Sequence, residues 1–165
     1  MTRMRLNDYD YRNDGYYFIT IVTRNRMPCL SKIKSGKVEL LQAGLIVRDE
    51  LINTDNLRRD VFIDEYIIMP DHIHFILILS AMDSIPHHAN KKILQNYYSA
   101  ISPESGSVST IVRIFKAAVT RKCRTDGLTG FSWQRGFYDR IIRDQNELNA
   151  FRNYIVLNPE RVVMK

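Results

Sequence analysis

With 165 residues, 45% of them hydrophobic and 25% charged, the chain has the composition of one globular domain that can bury a core unaided, and a disordered polymer is excluded. Two cysteines, Cys29 and Cys123, provide neither a disulfide framework nor a CxxC zinc knuckle. No stretch approaches the ~18 apolar residues of a membrane span and no apolar run follows the basic N-terminus, so a soluble, cytoplasmic protein with no membrane association is expected; the formal charge of +6 favours a polyanionic partner, nucleic acid first.

Residues 1–15 are polar and read as an N-terminal arm closed by the turn signal Asp14-Gly15. Tyr16 to Thr23 is dense in aromatic and β-branched residues and predicts the first strand. Arg24-Asn25-Arg26 then forms a short basic patch. Pro28, Ser31, Ser35 and Gly36 make 27–37 read as a loop, and apolar residues at helical period predict a helix over 38–52, with Gly44 as its weak point. After a polar turn at 53–60, Val61 to Met69 reads as a second strand, joined through Pro70-Asp71 to an antiparallel partner over His72 to Leu79.

In a strand, residues i and i+2 share a face, so His72 and His74 project together while Ile73 and Phe75 point the other way. Two neutral imidazoles side by side on a rigid element suit a metal ion. The triplet alone leaves a second account open, in which the two rings serve packing and hydrogen bonding. A third histidine at position 76 would suggest a HIT-type nucleotide hydrolase, but that position is Ile76. His87 and His88 lie in the long irregular stretch 80–107, an insertion with a short helical piece at Ile93 to Ala100, and read as surface loop residues.

Helical period returns over 108–124, with Val108, Ile111, Val112, Phe115, Ala118 and Val119 on the apolar side. Arg113, Lys116, Thr120 and Arg124 fall at spacings of three and four and line one stripe, with Arg121 and Lys122 beside it. No acidic residue lies between 108 and 124, which makes phosphate tracking as good an account of the stripe as a solvated face. Phe131 to Asp144 reads as an irregular strand, in which Trp133, Phe137 and Tyr138 divide between core packing and base stacking. A last helix over 145–157 has Asp144 as N-cap with Glu147 three residues on, and Pro159 ends it. Tyr154 and Asn158, four apart, share a face there, although packing alone would account for Tyr154.

The order strand, helix, strand, strand, helix, strand plus a terminal helix is a split βαβ pattern. It predicts one α+β domain over 1–165 of ferredoxin-like or RRM-like type: a central antiparallel sheet with helices on one face and a C-terminal helix carrying the tyrosine. No internal repeat divides it.

Three motifs in order, Met69-Pro70-Asp71-His72-Ile73-His74, Phe131 to Arg140, and Tyr154-Ile155-Val156-Leu157-Asn158-Pro159, resemble those of the IS200-like Y1 transposases, and within them the REP-associated tyrosine transposases. The resemblance runs from about Tyr16 to Val162. It implies an HUH single-strand nuclease of ferredoxin-like fold that cleaves and transfers hairpin-bearing single-stranded DNA through a 5′-phosphotyrosine. Matched by position, it implies Tyr154 as nucleophile and His72, His74 and Asn158 as ligands of Mg²⁺ or Mn²⁺. Insertion-sequence members carry glutamine where this chain has Asn158, a shorter side chain. Arg24, Arg26, Arg113, Lys116, Arg121, Arg124, Trp133 and Arg135 are the expected DNA-contacting residues. The family contains both monomers and homodimers. The competing reading is a non-catalytic single-stranded nucleic-acid-binding module on the same fold.

Overall fold

The computed structural model describes residues 15–57, 60–80 and 107–159. The arm expected before Gly15, and the insertion expected between Ser80 and Ser107 with its helical piece, His87 and His88, lie outside the described residues. The strands among the described residues are β1 (Gly15–Val22), β2 (Ser31–Lys34), β3 (Lys37–Leu40), β4 (Val61–Ile68), β5 (His72–Leu79) and β6 (Tyr138–Ile142). The α-helices among the described residues are α1 (Gln42–Leu57), α2 (Val108–Thr125) and α3 (Gln145–Val156).

Four strands form one sheet in the order β4-β5-β1-β6, every neighbour antiparallel. With β2 and β3 set apart as a separate hairpin, this is the split βαβ arrangement that the element order predicts. Alternation along the strands gives the sheet two different faces. Tyr17, Ile19 and Ile21 of β1 and Ile73, Phe75, Leu77 and Leu79 of β5 bury against α1 and α2, which add Ile46, Val47, Leu51, Val108, Ile111, Val112, Phe115 and Val119. On the other face Phe18, Ile67, Ile76, Ile78 and Ile142 meet Leu148, Phe151 and Ile155 of α3. The terminal helix thus covers the face opposite α1 and α2.

Two segments depart from expectation. Residues 31–40, read as the end of a loop and the start of a helix, form the β2–β3 hairpin, and α1 begins only at Gln42 and extends to Leu57 through the supposed turn. Ser35 and Gly36, at φ 49 and 73, make the two-residue left-handed turn that such hairpins require. The alternation Ser31-Lys32-Ile33-Lys34 was the available signal, hidden by turn residues on either side. In the second segment only Tyr138–Ile142 is strand; upstream of it Thr23 and Trp133 make an isolated bridge. Asp144 caps α3 as expected, accepting from the Glu147 N–H at 2.8 Å. The reciprocal bond is shifted by one residue, since the Glu147 carboxylate accepts from the Arg143 N–H at 2.9 Å.

Gly44 proves to be more than a helical weak point. A Cβ there would lie 2.1 Å from the Leu30 carbonyl oxygen, which also accepts from the Leu41 N–H at 2.9 Å. Glycine lets the incoming chain cross the first turn of α1 at close range.

Candidate functional site

The turn between β4 and β5 is pinned by backbone bonds before any side chain is considered. Met69 N–H donates to His72 O at 2.8 Å, Leu30 N–H to Pro70 O at 3.0 Å, and Thr23 N–H to Asp71 O at 2.9 Å. The buried Thr23 hydroxyl donates to the same Asp71 carbonyl at 2.9 Å. His72 and His74 therefore start from a fixed backbone on a central strand, His72 opposite Val22 and His74 opposite Thr20.

Both imidazoles lie on the α3 face, with ring centroids 4.7 Å apart. Asp71 Oδ1 lies 2.5 Å from His72 Nδ1, and Asp71 Oδ2 accepts from Arg26 at 3.1 Å. Burial tends to raise the Asp71 carboxyl, but the hydrogen bond and charge of His72, then those of Arg26, outweigh it and hold the group below its usual range. An ionised carboxylate can only accept, so it holds a hydrogen of His72 on Nδ1 and fixes the orientation of the ring. His74 Nδ1 meets the Thr20 hydroxyl at 2.8 Å. His74 is only 7% exposed; burial first, then the neighbouring His72, lower its pKa to about 3, with Asp71 opposing, so the ring is neutral at ordinary pH.

Tyr154 reaches this pair from α3. Its ring centroid lies 5.3 Å from that of His74 and 5.9 Å from that of Phe18. Phe18 stacks on His74 at 5.1 Å and on Phe151 at 4.4 Å, so one aromatic ring supports both the imidazole and the helix that presents the tyrosine. Asn158 is buried just past the end of α3. The donor chemistry fits a divalent cation: two imidazoles, each with one nitrogen engaged by a neighbouring side chain, and a carboxamide just past the end of the helix that carries Tyr154. Among the described residues no group of three His, Cys, Asp or Glu side chains could hold a metal.

The basic residues occupy two separate regions. Arg24 and Arg26 are exposed in a short 3-10 turn at the end of β1, beside Asp71, with Asn25 and Arg26 both at positive φ, 54 and 52. On α2 an open groove of about 590 Å³ is lined by Lys116, Thr120, Arg121 and Arg124, with Ser132 and Trp133 as its other wall. Arg113 and Arg135 are exposed. Besides Arg26, which pairs with Asp71, two basic residues of α2 have structural partners. Lys116 donates to the carbonyls of Gln134 at 2.7 Å and Gly136 at 2.6 Å and so ties the loop before β6 to α2. Lys122 pairs with the buried Glu50 of α1, an acid that inspection of residues 108–124 alone could not reveal. Trp133 packs inward, 5.1 Å from the Phe131 ring and 6.4 Å from Phe115.

Sequence reasoning passed over Thr20, Phe18 and the carboxylate of Asp71. The Asp71 signal was visible, a carboxylate adjacent to a candidate ligand histidine, whereas Thr20 and Phe18 required the strand register.

No protein-family model matches the chain. An uncharacterized protein of Haemophilus influenzae is 32% identical over 159 residues, spanning 94% of this chain and 86% of its own length. The chain belongs to the family of that Haemophilus protein. A solved structure of a REP-associated tyrosine transposase bound to a REP hairpin matches with a TM-score of 0.63 at 23% identity, covering 98% of this chain and 74% of the other. The family fold is therefore that of the transposase, as the three sequence motifs lead one to expect. Among the described residues no helix is long and apolar enough to cross a membrane.

Proposed function

We propose that this chain is a divalent-metal-dependent strand transferase that cleaves and rejoins hairpin-bearing single-stranded DNA in the cytoplasm, with Tyr154 as nucleophile. The observation that carries the reading is the cluster of Tyr154, His74 and His72 on one sheet face, at 5.3 and 4.7 Å between successive rings. Likeness of fold to a transposase that binds a REP hairpin supports it.

His72, His74 and Asn158 would hold Mg²⁺ or Mn²⁺. When bound, the ion supplies Lewis-acid neutralisation of charge on the non-bridging phosphate oxygens. The Tyr154 oxygen, its proton lost to solvent, attacks phosphorus as the bond from phosphorus to the 3′ oxygen breaks. One strand end leaves as a 3′-OH after taking up a proton, and the other stays on the protein as a 5′-phosphotyrosine. That ester retains the energy of the broken bond, so attack by a second 3′-OH rejoins DNA without ATP. Asp71 and Thr20 orient the two imidazoles, and Phe18 keeps His74 and α3 in register. Arg24 and Arg26, beside the turn that carries Asp71, would meet phosphates flanking the scissile bond, while Arg113, Arg121, Arg124 and Arg135 would hold the more distant duplex or strand.

The test is incubation with a library of labelled single-stranded hairpins and Mn²⁺, followed by denaturing electrophoresis and peptide mapping. A covalent adduct on Tyr154 is expected. Hairpin binding without any adduct would instead support the non-catalytic binding module.

A further inference from the structure

The helix that carries Tyr154 is held to the sheet by few apolar residues. Among the described residues its cluster has four buried members, Ile76, Ile142, Leu148 and Ile155, with Phe18, Ile67, Ile78 and Phe151 partly buried around them, against twenty-one buried in the cluster beneath α1 and α2, so polar ties have a larger share in its placement. At its N-terminal end they run to β6: Arg140 donates to Glu147 at 2.5 Å, and its guanidinium lies 5.5 Å from the centre of the Phe151 ring. At its C-terminal end one tie reaches the opposite edge of the sheet. Arg152 donates through Nε to Asp64 Oδ2 at 2.7 Å and through Nη2 to Asp64 Oδ1 at 2.9 Å, a two-point fork two residues from Tyr154.

Asp64 is available for this because β4 is irregular there. The register with β5 runs Ile63 to Leu77, then resumes at Tyr66 with Phe75, so Asp64 and Glu65 together oppose Ile76 alone. Such a bulge re-aims a side chain and switches the phase of the strand. Phe62 before it and Ile67 after it are opposite Ile78 and His74, both on the α3 face, although their spacing is odd. The bulge thus places a carboxylate toward α3 without disturbing the His74 row.

We propose that Asp64 and Arg152 are a positioning pair that sets the placement of Tyr154 over His74, an inference that rests on the strand-transfer reading above. Neither residue touches the reacting atoms. A bidentate guanidinium–carboxylate pair fixes direction as well as distance, which a single ammonium contact would not. Displacement of α3 by about 1 Å would remove the tyrosine oxygen from the line of attack while leaving DNA-binding surfaces intact.

The experiment compares wild type with Asp64→Asn, Arg152→Lys and the exchanged double variant Asp64→Arg/Arg152→Asp. Two readouts are taken: hydrogen exchange of α3 amides in the free protein, and the rate of adduct formation with a cleavable hairpin at saturating Mn²⁺. Both single variants should exchange faster over 152–156 with α2 unchanged, and their adduct rate should fall about tenfold or more while hairpin affinity stays within about twofold. The exchanged pair should recover much of both. Wild-type exchange and rate in the single variants would overturn the proposal, as would a double variant no better than either single. If wild type forms no adduct the strand-transfer reading itself fails, and the exchange data still decide whether the pair holds the helix.

Discussion

Tyr154 stands edge-on to His74, the two rings inclined at 69° with centroids 5.3 Å apart, although eighty residues of sequence separate them. The contact joins the only described helix on its side of the sheet to a central strand, and it makes the hydroxyl of Tyr154 the most informative single group to remove. Tyr154→Phe keeps the ring, its contacts with Phe18 and His74, and its helix preference. It should bind hairpin DNA as wild type does and form no covalent adduct. Tyr138 is the proper control, because it lies on the same sheet face in the row Tyr138, Thr20, His74, but two strands away. Mapping of the nucleotide to Tyr138, or an undiminished adduct in Tyr154→Phe, would overturn the assignment.

The pH behaviour of the metal-free protein should report His74. Its pKa falls from 6.5 in the unfolded chain to about 3, chiefly through burial. Between those values the unfolded state binds a proton that the folded state refuses, so stability is full above the unfolded pKa and declines as pH falls toward the folded one. From about pH 6.5 to 4.5, above most carboxylate titration, the loss should approach 2–3 kcal/mol. Urea melts in EDTA would measure it. His74→Gln, which retains a hydrogen-bonding partner for Thr20, should flatten that part of the profile; an unchanged slope would assign the acid sensitivity elsewhere.

Charge on α2 should act through the residues whose head groups remain exposed. Arg121→Glu and Arg124→Glu should each weaken single-strand binding and lower the salt-dependence slope by about one for every phosphate that is no longer neutralised. Lys116→Met should behave differently, with a lower melting temperature, because its ammonium bonds two carbonyls of the loop before β6. Wild-type affinity and slope in both arginine variants would make the groove a solvated surface.

Gly44→Ala offers a test of the packing. Helix propensity alone predicts a gain of about 1 kcal/mol. The Leu30 carbonyl, 2.1 Å from the new Cβ, should reverse the sign and cost about 1–3 kcal/mol, read as a lower urea midpoint at constant slope.

Much of the architecture was legible because long periodic segments declare themselves. Tyr16 to Thr23, His72 to Leu79 and Val108 to Arg124 each lie within one residue of an observed element. The β2–β3 hairpin was not legible, since four-residue strands bounded by serine, glycine and lysine carry too little pattern to compete with the helical spacing that follows them. At the site, the shared face of His72 and His74 followed from strand alternation. Their partners did not: Thr20 needs the register of β1 on β5, and the fork from Arg152 to Asp64 crosses 88 residues and depends on a bulge that no local pattern announces.

The unequal faces of the sheet have a consequence for how the protein comes apart. The layer formed with α1 and α2 encloses the larger apolar cluster, whereas α3 contributes only Leu148 and Ile155 as fully enclosed side chains on the other side. Loss of α3 would expose less apolar surface than loss of the opposite layer, so it can open as a separate cooperative unit at a lower free energy than the rest. A partly denatured population should then keep its sheet and both larger helices while its tyrosine swings clear of the histidines. The proposed activity would disappear at lower urea than the bulk of the secondary structure, and among the described residues new proteolytic cleavage would appear at the connection between Ile142 and Gln145.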